Sequence, residues 1–507
     1  MLKNILSSFQ PYIKKAWIVG ILVLLGFYVS EMMIQGSLFK ASLPVLIVFL
    51  LAITILFLNY PKLLYLSALL VGHFMAYFGR VYPGPTYGLT IDFLLAIGFV
   101  VLLSGRAEIS FKYIKKPEFI ALYIWIIYVC LLILNPNAPG PIAWFYAMRS
   151  YCLYLILVPI VVCGFITSTK DIKTLFNILI VLSIYCTLIA LRQEFIGLYD
   201  YEMDWLNTGA MSTHFLNGRL REFSIFTDAS NYGGYCGFMC VAAATYGCLP
   251  NRLPGRFFYF VIALFNFYGL MLSGSRGPVA IIGIGGIVFL MMSRRSLLTF
   301  VGSIVGLFAF VFLKFTTLLN SNYNIYRLRT AFDPNDASLM VRKAKEEILT
   351  RYMADKPFGG GVGSAGNWGE RFAPGTFLAD TPTDGLFSRI WMETGIVGLV
   401  LFIALLIFLV IRMGYRLWSL PEGRIRQILL GFYAGYCGLI LSSYVNETMT
   451  QVPMSIICYA VPALIIVAEY WYKTGVNIED PPTAPRPHLY QLTNPPRYKS
   501  KFCCNKG

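Results

Sequence analysis

The sequence predicts an all-α integral membrane protein, a polytopic bundle of about fourteen (12–14) transmembrane helices. Three observations carry this. Hydrophobic residues make up 57% of the 507-residue chain and charged residues 13%, with a mean hydropathy of +0.66, whereas an average soluble chain is about one quarter charged. Several windows reach the roughly 18–20 apolar residues needed to cross about 30 Å of hydrocarbon as a helix. The apolar runs are continuous, which excludes a β-barrel with its alternating strands of about ten residues.

Span centres fall near residues 25, 50, 70, 95, 126, 158, 183, 239, 264, 284, 306, 399, 435 and 461. Lys and Arg in short loops favour the cytoplasm. One orientation puts Lys3, Lys14 and Lys15, the Arg106–Lys116 loop, Lys170 with Lys173, Arg252 with Arg256, Arg294 with Arg295, and Arg412 to Arg426 inside. Both termini are then cytoplasmic. No small-residue cleavage site follows the first apolar run, so that run reads as an uncleaved helix. The formal charge of +16 belongs largely to this inner collar and gives no reason to expect nucleic acid as a partner.

Residues 1–472 read as one membrane domain, and the Pro-rich, basic stretch 473–507 as a disordered cytoplasmic tail. Most of the 11 Cys lie inside spans, where a thiol behaves as a small hydrophobe; Cys503 and Cys504 in the tail are possible acylation sites. No internal repeat of transporter type is visible. Two outer loops are long, about 195–228 and 315–385, and long loops tend to carry function. The second reads as a turn at Asp333–Asp336 and then an amphipathic helix over 337–353, with Leu339, Val341, Ala344, Ile348 and Tyr352 as its apolar face. Gly359–Gly363 follows as a flexible-backbone segment.

The residues that break the charge pattern are Arg149, Arg192, Arg219, Arg221, Arg276 and Arg342, all at the outer side. Cations near membrane depth are costly, and they pair or bind something. Arg donates a planar, bidentate fork suited to phosphate. Arg276 is flanked by Gly274 and Gly277 and precedes a helix N-terminus with outward N–H groups, although an interfacial Arg also simply snorkels to headgroups. Arg221 leads into Asp228 and Ser230, which are placed to cap the next helix. Arg342 has Glu346 four residues on, the spacing of an ordinary surface pair. His73, His214 and His488 are scattered and offer no zinc spacing, Asp333 and Asp336 read better as turn and cap than as a cation site, and no Walker-type loop occurs. No metal and no cofactor is expected.

Three segments resemble the O-antigen ligase and Wzy-type polysaccharide polymerase superfamily of bacterial envelope glycan assembly. They are Gly274-Ser275-Arg276-Gly277, similar to that family's S-R-G motif; Arg342 through Pro357-Phe358 to Gly361-Val362-Gly363; and Asp384-Gly385 with Gly395-Ile396-Val397-Gly398. Arg221 to Asn231 is a weaker match. Ligases resembling the third segment carry a His where this chain has Asp384, and the acidic residue favours polymerase over ligase. The resemblance implies a metal-independent, inverting glycosyl transfer from an undecaprenyl-diphosphate-linked oligosaccharide at the outer face of the bacterial inner membrane. In that reading Arg276, Arg192, Arg221 and Arg342 bind the diphosphate, and Asp384 is a candidate general base, its other role being a helix N-cap. Membrane lipid, a chain-length regulator and a flippase are the implied partners. A ligase acting on lipid A core is the alternative within the superfamily, and a lipid-linked oligosaccharide flippase the alternative outside it.

Overall fold

The computed structural model describes residues 52–475 apart from 85, 105–112, 217, 250–254, 322, 331–336 and 384. The expected span centres at residues 25 and 50, the tail from residue 476 on, the Asp333–Asp336 turn and Asp384 lie outside these residues. The chain folds as an all-α bundle: α1 Lys62–Val81, α2 Gly88–Leu103, α3 Pro117–Leu131, α4 Pro141–Met148, α5 Tyr154–Phe165, α6 Thr169–Phe195, α7 Asp200–Trp205, α8 Met211–His214, α9 Ala229–Gly247, α10 Arg256–Leu272, α11 Val279–Met292, α12 Ser296–Phe315, α13 Tyr323–Arg329, α14 Ala337–Met353, α15 Gly366–Phe372, α16 Phe377–Asp380, α17 Leu386–Ser419, α18 Arg424–Ser442 and α19 Met454–Lys473. A two-residue hairpin, β1 Phe215–Leu216 against β2 Arg219–Leu220, interrupts them.

Among the described residues eight helical segments are long and apolar enough to cross a membrane, and α2, α10 and α11 are shorter apolar helices. From residue 70 onward every expected span centre falls in or beside one of these helices or in α9. α9 is the exception in composition. It is rich in Gly, Ala and Cys, nearly all of it is buried, and it packs on α10, α18, α11 and α6. Small residues let helix backbones approach closely where lipid gives no hydrophobic drive, so this small-residue helix sits buried among its neighbours. α12 is the converse, with no buried residue.

The two ends of the bundle differ. At one, basic side chains close off helix C-termini: Arg256 donates to the Gly247 carbonyl (2.9 Å), Arg426 to that of Met292 (2.8 Å), and Arg295 to that of Cys248 (2.5 Å). A guanidinium at the negative end of a helix dipole is favourable. Here too Glu118 of α3 accepts from Arg412 (2.9 Å) and Arg416 (2.8 Å) of α17, and Arg416 also pairs with Glu469 of α19, which ties three helices together. At the other end lie the long connections.

One kink positions that second end. Gly395 interrupts α17 at φ 71° and ψ −177°, a region open essentially to glycine alone. The break admits the Pro357–Gly363 segment: Gly360 N–H donates to the Met392 carbonyl (2.8 Å) and Val397 N–H to that of Pro357 (3.3 Å). A Cβ on Gly395 would lie 2.0 Å from the Pro357 oxygen. Two of the sequence segments singled out above are therefore two sides of one joint. The same loop seats α14, through Leu349 and Met353 against Leu378 and Met392. The expected helix is present over 337–353; of its apolar face, which the sequence leaves free to lie on the bilayer or on the bundle, Tyr352 packs against the Leu349 and Met353 cluster. Val341 and Ile348 are exposed, because the hydrophobic partners offered by α16 and α17 meet the adjacent stripe.

Gly395→Ala is expected to cost about 2–5 kcal/mol through strained backbone and the clash with Pro357; a thermal melt in detergent checks it, and an unchanged midpoint contradicts the joint.

Candidate active site at the loop end of the bundle

The Ser273–Pro278 turn links α10 to α11. Gly274 adopts φ 55°, and Ser275 N–H bonds back to Ser273 Oγ (3.2 Å), which fixes the turn in a tight form. Arg221, from the strand β2 exit, grips it with Nη2 on Ser275 Oγ (2.6 Å), Nε on the Ser273 carbonyl (3.3 Å) and Nη1 on the Thr213 carbonyl (3.0 Å). Arg327 of α13 donates through Nε to the Gly274 carbonyl, and Arg276 Nη1 donates to Thr330 Oγ1 (3.1 Å). Three half-buried guanidiniums thus converge on one turn. Arg276 and Arg327 line an open depression of ≈ 210 Å³ with Gly274, Ser275, Leu270, Met271 and Leu328. Such a cradle attracts a multiply charged anion.

A second polar cluster lies at the start of α17. Arg389 donates to Glu447 (2.8 Å) and to Glu393 (3.3 Å), Thr383 donates to Glu447 (2.6 Å), and Tyr151 donates to Glu393 (2.5 Å). Arg389 Nη2 is buried without a hydrogen-bond partner, a donor that a bound oxygen would satisfy. Residue 384 adjoins Thr383 in the chain.

The α18–α19 connection joins the two clusters. A Cβ on Gly277 would lie 2.5 Å from Val445 Cγ2 and 3.0 Å from Asn446 Nδ2. Leu386 N–H donates to the Ser443 (2.9 Å) and Asn446 (3.2 Å) carbonyls. Asn231 Nδ2 reaches the Val452 carbonyl (3.0 Å), and the Thr448 hydroxyl the Ser230 carbonyl (3.4 Å). The structure thus brings Arg221 and Arg276 together on the turn, with the carboxylate of Glu447 on the same connecting segment.

Arg192, Arg149 and Asp228 have partners of their own. Arg192 is held bidentate by Glu202 (2.5 and 2.6 Å), which also takes Gln193 Nε2 (2.8 Å). Burial pushes the Glu202 carboxyl up, but these bonds and the one from Tyr199 N–H outweigh it and hold it below the usual range. The Arg192 fork is thus engaged in anchoring α7 to α6. Arg342 is half-buried on the side of α14 that carries Leu349 and Met353, and Arg327 and Leu328 of α13 line the depression at the turn. Arg149 is paired with Asp92 (2.7 Å), which also accepts from Tyr154 (2.5 Å). Asp228 caps α9, accepting from Asn231 N–H (2.9 Å), as its sequence position led us to expect.

Sequence reasoning missed Arg327, Arg389, Glu393 and Glu447. For Arg327 the signal was present, since Arg327 and Arg329 are outer-loop cations like those singled out. Glu447 stands in a polar run, Asn446-Glu447-Thr448, between two spans. Nothing local ties it to Arg389 across 58 residues.

A multi-span helical membrane protein with an arginine-lined turn and a neighbouring carboxylate cluster is the class that this fold and site define. Residues 259–403 match the family described as O-antigen ligase, a window containing the Ser-Arg-Gly turn, the Pro357–Gly363 joint and the α17 kink. A protein named O-antigen polymerase, from Salmonella muenchen, is 22% identical over 332 residues, covering 63% of this chain and 80% of that protein. Over its second half the chain is thus similar to the O-antigen ligase and Wzy-type polymerase superfamily.

Glu222, next to Arg221, is buried, and burial together with a hydrogen bond to Glu194 pushes its carboxyl up to about 9. At neutral pH it is therefore protonated. A carboxyl raised in the folded state favours folding fully below its unfolded value and loses that contribution as pH rises through its folded value. The melting midpoint is expected to fall between about pH 4.5 and 9, and Glu222→Gln to flatten that slope. An unchanged slope in the variant contradicts the assignment.

Proposed function

We propose that the protein is a polysaccharide polymerase that transfers glycan from an undecaprenyl-diphosphate carrier to a lipid-linked repeat unit at the outer face of the inner membrane. The observation that carries this reading is the convergence of Arg221, Arg276 and Arg327 on the Ser-Arg-Gly turn, joined through one connection to Glu447. The basic end of the bundle, in this reading, faces the cytoplasm with both termini, which leaves the cradle outside.

In the reaction an acceptor hydroxyl attacks the anomeric carbon from the side opposite the diphosphate. The bond from that carbon to the diphosphate oxygen breaks, its electron pair leaves with undecaprenyl diphosphate, and the configuration inverts. The guanidiniums neutralise the charge that develops on the leaving group, a task that leaves no step for a metal. The hydroxyl proton passes to a carboxylate, for which Asp384 and Glu447 are the two candidates. The N–H at Arg389 Nη2 is available to hold an acceptor oxygen. A flippase supplies the lipid-linked units and a chain-length regulator limits the product. The ligase reading shares the donor half of this scheme and is favoured by the description of the matched family; lipid A core then replaces the second repeat unit as acceptor.

Arg276→Ala is expected to lower chain extension by the purified protein about 100- to 1000-fold while the protein still inserts and melts normally, with Arg276→Lys in between. Unchanged product length in the Ala variant contradicts the role of the cradle.

A further inference from the structure

An aromatic platform lies beside the candidate site and is used by none of the steps above. α4 and α15 meet through three rings: Tyr146 and Trp368 stack at 5.1 Å between centroids and 27° between planes, Tyr146 and Phe372 at 5.7 Å and 23°, and Trp368 and Phe372 at 6.1 Å and 22°. All three are half-buried. The Arg371 guanidinium lies 5.6, 6.0 and 5.3 Å from the Tyr146, Trp368 and Phe372 centroids, and the Arg149 guanidinium 5.3 Å from Tyr146.

The three rings lie nearly parallel, so the faces not covered by one another or by Arg149 are what they offer to a ligand. A pyranose has a flat side of polarised C–H bonds that suits the negative face of an aromatic ring, and a rim of hydroxyls that needs polar partners. The exposed residues that α15 adds around the rings are Asn367, Glu370 and Arg371, all able to serve such a rim. A ring meant only for lipid needs no such fringe.

Position adds the second argument. α15 begins at Gly366, where a Cβ would lie 3.5 Å from Thr383 Oγ1, and Thr383 donates to Glu447 (2.6 Å). Trp368 and Phe372 lie about 3 and 9 Å further along the helix axis. That places the platform within the span of one or two sugar rings of the carboxylate cluster.

We propose that Trp368, Phe372 and Tyr146, with Arg371 and Asn367, form a binding subsite for pyranose rings of the acceptor glycan. The inference rests on the glycan-transfer reading of the neighbouring site and names where that substrate is gripped away from its lipid.

The probe is the oligosaccharide repeat unit freed of its lipid diphosphate by mild acid, titrated calorimetrically against the full-length protein in phosphatidylglycerol and phosphatidylethanolamine nanodiscs. Trp368→Ala is expected to weaken binding about tenfold, Trp368→Phe to retain most of it, and the exposed change Arg371→Gln to weaken it severalfold, which keeps the test decisive if the Ala variant misfolds. Equal affinity in all variants, a lowered melting midpoint with unchanged affinity as for a lipid-interface anchor, or no binding by the unmodified protein overturns the subsite. The transfer reading fails separately, on chain extension in Arg276→Ala.

Discussion

Glycine at position 277 lets the Ser-Arg-Gly turn touch the α18–α19 connection with no side chain between them; a Cβ there would sit 2.5 Å from Val445 Cγ2. Most of the loop end is organised around this contact. The turn carries Arg276 and receives Arg221 and Arg327, while the connection receives the start of α17, the cap of α9 and, through Glu447, the Arg389 cluster. Guanidiniums near membrane depth are costly unless they are held and satisfied. Here Arg221 and Arg327 are held by carbonyls and a hydroxyl of the turn, and Arg276 by the Thr330 hydroxyl.

The membrane bundle was legible because its signal is summed over whole helices. Continuous hydropathy located the spans from residue 70 onward, and the basic loops mark one end of the bundle, where Arg256, Arg295 and Arg426 close helix C-termini. What composition conceals is depth. α9 and α12 both read as spans, yet one is the centre of the fold and the other its rim, a difference set by close backbone packing rather than by hydropathy.

The site was legible only where its parts are contiguous. The Ser-Arg-Gly turn is one short stretch, and Arg276 and Arg221 were read from it and its neighbour. Arg192 was read as an outer cation that pairs or binds something; its partner Glu202 lies ten residues on, past the end of its helix, where helical spacing gives no warning. Glu447 and Arg389 meet only through the fold. The two glycine-rich segments at 359–363 and 395–398 were visible as motifs, but that they form one joint follows from the kink in α17 and the hydrogen bonds across it. Asp384 lies outside the described residues, so its part in the proton transfer rests on its place in the sequence beside Thr383.

The central claim is transfer of a diphosphate-linked glycan at the loop end. The most direct measurement supplies the purified protein in nanodiscs with undecaprenyl-diphosphate-linked repeat units as the sole substrate and resolves the products by mass. The account predicts a ladder of lipid-linked chains spaced by one repeat, with one undecaprenyl diphosphate released for each bond formed. No ladder with this substrate, and no transfer when lipid A core is added as acceptor, would contradict it.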